Sequence, residues 1–202
     1  MHKKVEDFSV QLRIDKKLVK QQLACKEKLY DFNFSRPSEG EKRHKILSTL
    51  FGRFKNTHIE PPFQCDMGSN IFFGEGGFIN YDVKILDIAP VTIGEYVLLA
   101  PNVVLSTVNH PIDLAERVKP YACAEPINIG DNVWIGAGSI VLGGVTIGSR
   151  SVIGAGSVVT KDIPSDVIAV GNPCRVIKNV VHGQMPSEEL LASWWGEFAD
   201  PE

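Results

Sequence analysis

The chain has 202 residues, of which 44% are hydrophobic, 22% charged and 8% aromatic, and this composition excludes wholesale disorder. With 21 Lys+Arg against 24 Asp+Glu the formal net charge is -3, so the overall balance points neither to nucleic acid nor to an anionic membrane surface, and any anion site must be local. The four cysteines, Cys25, Cys65, Cys123 and Cys174, lie far apart with no CxxC spacing, a pattern of reduced, packed thiols and not of a zinc site or disulfide scaffold.

The N-terminal stretch MHKKVEDFSV is charged and has no apolar secretory core, so a cytoplasmic protein is expected. The first predicted element is a helix with a partial apolar face of Leu18, Val19, Leu23, Leu29 and Tyr30. A second helix is signposted by Ser38 with Glu41 as a capping box, by an apolar stripe of Ile46, Leu47, Leu50 and Phe51, and by Gly52 as a stop. Pro61-Pro62 then ends helical structure, which makes 1–62 a helical segment by expectation.

From there the chain repeats. Phe73, Ile79 and Ile85 fall six apart; after a two-residue slip come Ile93, Leu99 and Leu105; then Ile129, Ile135, Val141, Ile147, Ile153 and Val159 follow without a break. A period of six cannot be helical, because 3.6 residues per turn would scatter these positions around the axis. Short strands separated by turns explain it, three hexads closing a prism-like coil of about 18 residues with the aliphatic residues inward. Gly, Asn and Asp at corners such as Gly94-Glu95, Gly130-Asp131-Asn132 and Gly148-Ser149 are expected to tolerate the turn geometry. The run 132–149 has no charged residue, but its five glycines and spaced aliphatics decide against a membrane span. A mainly β domain is therefore expected over 63–178, with repeats from about Gly68 to about Gly171, and a C-terminal extension over 179–202.

The register breaks once in a large way, over 106–126, and this segment must loop out of the prism. It carries His110, whereas His2, His44, His58 and His182 lie in the flanks or the entry. An imidazole there is suited to accept a proton from a weakly nucleophilic hydroxyl; it could equally serve only to hydrogen-bond its neighbours. Trp134 precedes the inward Ile135 and must point outward, to cover either another subunit or a ligand. Near the end of the prism Lys161, Arg175 and Lys178 could hold phosphates. A short helix is expected from Pro186 onward, opened by Ser187-Glu188-Glu189, with Leu190, Leu191, Trp194, Trp195 and Phe198 apolar for capping or subunit packing.

Four runs carry a resemblance: GSNIFFGEGGFINYD (68–82), VTIGEYVLLAPNVVLSTVNHPID (91–113), INIGDNVWIGAGSIVLGGVTIGSRSVIGAGSVVTKDIP (127–164) and AVGNPCRVIK (169–178). Together with LYDFNFSRPSEGEKR near the N-terminus, they closely resemble the maltose and galactoside O-acetyltransferases, which are hexapeptide-repeat acyltransferases. The resemblance implies a left-handed parallel β-helix, three subunits about a threefold axis with sites between neighbours, a small sugar acceptor, acetyl-CoA as co-substrate and no metal. It also implies roles by position. His110 in the NHP motif would be the general base, and a backbone N–H near Ala137 would stabilise the oxyanion. Asp66, Asn80 and Asp87 would lie at the acceptor, and Ala100, Trp134, Ala137, Ala155, Thr160, Lys161, Arg175 and Lys178 along the coenzyme groove. Galactoside enzymes have two successive aspartates where this chain has Asp87-Ile88, so one sugar-contacting carboxylate is absent; Asp15 is a further acidic candidate. Three other readings stay open: an acetyltransferase of a non-sugar alcohol or amine, a zinc-dependent carbonic anhydrase, which the single repeat-body histidine disfavours, and a structural solenoid.

Overall fold

The computed structural model describes residues 3–199, with side chains as far as Trp194; the expectations placed on His2, Trp195 and Phe198 lie outside the described residues and side chains. Three sheets run along the prism, parallel but for the last strand of the second. The first contains Ile71–Phe73, Val91–Ile93, Ile127–Ile129 and Thr146–Ile147. The second has seven strands, from His58–Ile59 through Phe78–Ile79, Leu98–Leu99, Trp134–Ile135, Val152–Ile153 and Val167–Val170 to Arg175–Asn179. The third has five: Gln64–Cys65, Lys84–Leu86, Val104–Ser106, Ile140–Leu142 and Val158–Val159. The alternating residues Ile79, Ile85, Leu99, Leu105, Ile135, Val141, Ile147, Ile153 and Val159 are all buried, at 0% or 1% exposure, so the hexad positions form the core columns. Each such side chain contributes roughly 1.5–3 kcal/mol of burial.

Two details differ from the expected prism. Ile71 pairs with Val91 and Ile129 with Ile147, so the early coils are 20 residues long and only the later ones 18. The two extra residues sit in the corner at 87–90, where the hexads slip. The corner glycines also divide. Left-handed φ values occur at Asp82, Tyr96, Asn102, Asn132, Arg150 and Asp166, between 54 and 62°, and at Gly68, Gly76, Gly77, Gly138, Gly144, Gly156 and Gly171, between 62 and 101°, whereas Gly94, Gly130 and Gly148 keep an ordinary φ. A Cβ on Gly130 would lie 2.6 Å from the Ser149 amide nitrogen of the next coil, so glycine is there because adjacent coils touch.

The N-terminal end is closed by helices α1 (Lys16–Asn33) and α2 (Gly40–Leu50). Asp15 caps α1, its Oδ1 accepting the N–H groups of Lys17 and Leu18 at 2.9 Å. Ser38 does not cap α2: Glu39 occupies that position, and its carboxylate accepts the N–H of Arg36. Phe32, Leu47, Leu50, Phe51 and Phe63 are buried against Phe73 and seal the open end of the prism. The prism itself begins earlier than Gly68, since Arg53 bridges Phe72 and His58–Ile59 pairs with Phe78–Ile79. Pro61-Pro62 ends no helix, since α2 stops at Leu50 and the strand His58–Ile59 intervenes; it forms a corner of that first coil.

The excursion is folded. Val108–Asn109 and Tyr121–Ala124 pair antiparallel, helix α3 (Leu114–Arg117) lies between them, and Val10–Arg13 adds on the other side of Tyr121–Ala124. The segment 1–62 is thus not helical throughout: it lends a strand to the excursion. At the far end Arg175–Asn179 folds back antiparallel on Val167–Val170, and helix α4 (Glu188–Ala199) follows. No helix among the described residues is long and apolar enough to cross a membrane. All four cysteines are free and buried, with the Cys25 and Cys65 sulfurs 3.6 Å apart.

Candidate active site

The candidate residues fall on two corners and one face of the prism. Asn80, Ala100, Ala137 and Ala155 each stand just after a strand of the seven-stranded sheet, stacked along the corner that leads into the five-stranded sheet. Asp66, Asp87, the excursion with His110, and Thr160-Lys161 each follow a strand of the five-stranded sheet, along its opposite edge. Trp134 is half exposed at 51% on the outer face of the seven-stranded sheet, between Leu98 and Val152. Arg175 and Lys178 are exposed on the strand that folds back over the end of that sheet. The Asn80 and His110 groups of candidate residues therefore lie on opposite edges of the five-stranded sheet.

At the Asn80 corner the chain runs tight. Ala100 N–H donates to Ile135, Gly136 N–H to Ile153 and Gly138 N–H to Pro101, each between 2.8 and 3.0 Å. Ala137, between the last two donors, is exposed, and among the described residues its N–H has no intrachain partner. It is a fixed, outward-facing donor of the kind that can receive developing negative charge. The Asn80 side chain, partly exposed, accepts the N–H of Tyr81 through Oδ1 at 2.8 Å.

At the other corner His110 is exposed, and its N–H is held by Asn109 Oδ1 at 2.8 Å. The loop that carries it is braced from several sides. Asp113 caps α3 through the Glu116 N–H, Glu116 accepts both Lys119 at 2.6 Å and the Val5 N–H at 3.2 Å, and Val5 and Phe8 pack on buried Cys123. Glu125, at the loop's exit, is bound by Lys3 at 2.6 Å and by Ser9. Lys119 beside Glu116, with the Val5 N–H, keeps that carboxyl below its ordinary range. A braced loop that presents an exposed imidazole is what a group that must meet a reacting hydroxyl requires.

Asp66 is half-buried, and burial pushes its carboxyl upward against the pull of Lys26. Asp87 corrects an expectation. Its side chain has no exposed surface, and Oδ1 accepts the N–H groups of Asp66 and Met67 at 2.9 Å, so it holds the corner together instead of presenting a carboxylate outward. Burial raises Asp87 to about 6 in spite of those bonds. Asp15 is likewise engaged, at the start of α1. Sequence reasoning missed Thr107, buried beneath the His110 loop, and the bracing strand Val10–Arg13; the only signal for Thr107 was a hydroxyl placed directly after the hexad strand that ends at Ser106. Among the described residues no group of three His, Cys, Asp or Glu could hold a metal ion.

A prism of hexad coils with an outthrust, braced histidine defines a hexapeptide-repeat transferase. The model of the bacterial transferase hexapeptide (six repeats) matches residues 126–161, and that of the maltose acetyltransferase hexapeptide capping motif matches 13–55, the segment that forms α1 and α2. The galactoside O-acetyltransferase of Escherichia coli (strain K12) is 46% identical over 164 residues, 81% of this chain and 81% of that one. Among solved structures, a maltose O-acetyltransferase from Clostridium difficile 630 is 50% identical with a TM-score of 0.81, over 83% of this chain and 90% of that chain. A galactoside acetyltransferase in complex with coenzyme A is 45% identical with a TM-score of 0.80, over 83% and 84%. The chain belongs to the maltose and galactoside O-acetyltransferase family. It is an acyltransferase built on a left-handed parallel β-helix.

Proposed function

We propose that this protein transfers the acetyl group of acetyl-CoA to a hydroxyl of a sugar or glycoside, of the maltose, glucose or galactoside kind. The observation that carries the reading is the braced, exposed His110, in a chain 46% identical to a galactoside O-acetyltransferase over 81% of its length. The imidazole of His110 takes the hydroxyl proton as the sugar oxygen attacks the thioester carbonyl carbon. The new C–O bond forms, the C–S bond breaks, and the proton passes from the imidazolium to the departing sulfur of coenzyme A. The Ala137 N–H faces the oxyanion, a donor of a type worth about 3 kcal/mol. Asp66 and Asn80 contact the acceptor. Ala100, Trp134 and Ala155 line the pantetheine path, while Thr160, Lys161, Arg175 and Lys178, all exposed, hold the nucleotide phosphates.

These groups meet only across copies. Because the His110 and Asn80 corners lie on opposite edges of the five-stranded sheet, one chain cannot bring them together, and a homotrimer about a threefold axis, with each site between neighbours, does. The donor belongs to the intracellular acetyl-CoA pool, which supports a cytoplasmic setting.

The test is thiol release from acetyl-CoA by the wild type and His110→Ala, offered maltose, glucose, galactosides, amino sugars and chloramphenicol-like alcohols. Release with a sugar is expected, together with a loss of about 10²–10⁴-fold in kcat in His110→Ala while coenzyme A binding persists. Release with only the non-sugar alcohols would replace the sugar acceptor, and undiminished turnover by His110→Ala would remove His110 from the mechanism.

A further inference from the structure

Two buried polar side chains stand one coil apart beneath the His110 loop. Asp87 and Thr107 are both 0% exposed, and Asp87 is the one acidic side chain fully buried among the described residues. The Thr107 hydroxyl donates to the Leu86 carbonyl at 2.6 Å and accepts the Ala89 N–H at 3.1 Å, while its own N–H donates to the same Leu86 oxygen. It thereby clamps the two ends of the short segment that holds Asp87. That segment reaches down to the preceding coil in turn: Asp87 Oδ1 accepts the N–H groups of Asp66 and Met67, and the Asp87 carbonyl accepts Asn70 Nδ2 at 2.7 Å.

Hydrogen bonds thus run without a gap from the turn that starts at Asp66, through 86–89, to Thr107, three residues before His110. The arrangement is more expensive than stacking alone demands. Among the described residues the buried Asp87 Oδ2 has no partner, and a buried carboxylate oxygen left unmatched opposes folding. Elsewhere on the prism, buried Ser139, Ser151 and Ser157 satisfy corner carbonyls with a neutral hydroxyl. What a carboxylate adds is an acceptor strong enough to hold two adjacent amides at once.

We propose that Asp87 and Thr107 form a positioning column that sets where Asp66 stands relative to His110, and so how an acceptor hydroxyl is presented to the base. The inference rests on the reading of Asp66 as an acceptor contact. Neither column residue touches the acceptor; both act through the turn and the loop they hold.

Steady-state kinetics with maltose or methyl β-galactoside, whichever supports thiol release, tests it. Asp87→Ala is expected to raise the acceptor KM at least about tenfold while the acetyl-CoA KM stays within about twofold, and Asp87→Asn, which keeps the oxygen acceptor, to return the acceptor KM to within about threefold of wild type. Equal rises in both KM values, no rise at all, or failure of the asparagine to rescue would overturn the proposal. Asp66→Asn separates the two readings: an unchanged acceptor KM there refutes Asp66 as a contact, whatever the column does. Amide hydrogen exchange on the intact protein needs neither an acceptor nor a foldable Asp87→Ala. In Thr107→Val, but not Thr107→Ser, the amides of Asp66, Met67 and Ala89 are expected to exchange at least about tenfold faster, and unchanged exchange would dismiss the column.

Discussion

Asp87 is stable in its place only at a cost that depends on pH. Its folded value of about 6 lies above the ordinary carboxylate range near 3.9, so between those values the native state binds the proton and the unfolded chain does not. The sign follows: the protonated side chain contributes stability that is fully present below about pH 4 and is lost as pH rises through about 6. A shift of this size corresponds to about 3 kcal/mol at neutral pH. Asp87→Asn, neutral at every pH, should therefore gain stability relative to wild type from pH 4 to pH 7, by up to that amount, and level off above pH 7. Urea unfolding of both proteins at matched concentration checks it, and a difference that does not change with pH would mean that Asp87 titrates normally. Cys65 shows the same environment from the other side, since the Cys25 sulfur and burial push its thiol far up and leave it un-ionised and inert.

At the scale of the element, the closeness of the coils makes its own prediction. The added methyl in Gly130→Ala would meet the Ser149 backbone, which cannot step aside without breaking the Gly130 to Ile147 hydrogen bond. Overpacking of this kind typically costs about 1–3 kcal/mol, or a Tm lowered by roughly 5 °C. Gly183→Ala, where nothing lies within 4 Å, should leave the Tm unchanged and serves as the control in a thermal melt. The hexads were legible because period six admits one physical solution, and their inward columns follow directly from it. The first coil was not, because a Pro-Pro pair reads equally well as the stop of a helix and as the corner of a prism, and here it is only the corner. The strand Val10–Arg13 was hidden for another reason: four residues give only two alternations, and its partner Tyr121–Ala124 is more than a hundred positions away. Asp87 shows the limit at the site, since a position inherited from a motif says nothing about whether the side chain faces out or in.

For the whole molecule, the separation of the two corners is the feature with consequences. If each site takes His110 from one copy and Asn80 from the next, trimers mixed from His110→Ala and Asn80→Ala chains regain one intact site in three. Random mixing of equal amounts should then restore about a quarter of wild-type turnover, although each variant alone is nearly inactive. Refolding the two together and assaying thiol release measures this directly. No recovery from a demonstrably mixed trimer would place both residues in one chain's site.

The pairing of Ile127 directly with Val91 has a quieter implication. To the stack, the chain resumes after the excursion as though nothing had intervened. Whatever is spliced in at that point can change length, charge and shape while the rungs above and below keep their registry. Such a design ties the sequence of the insert to its own three-stranded sheet and frees it from the aliphatic columns inside the prism.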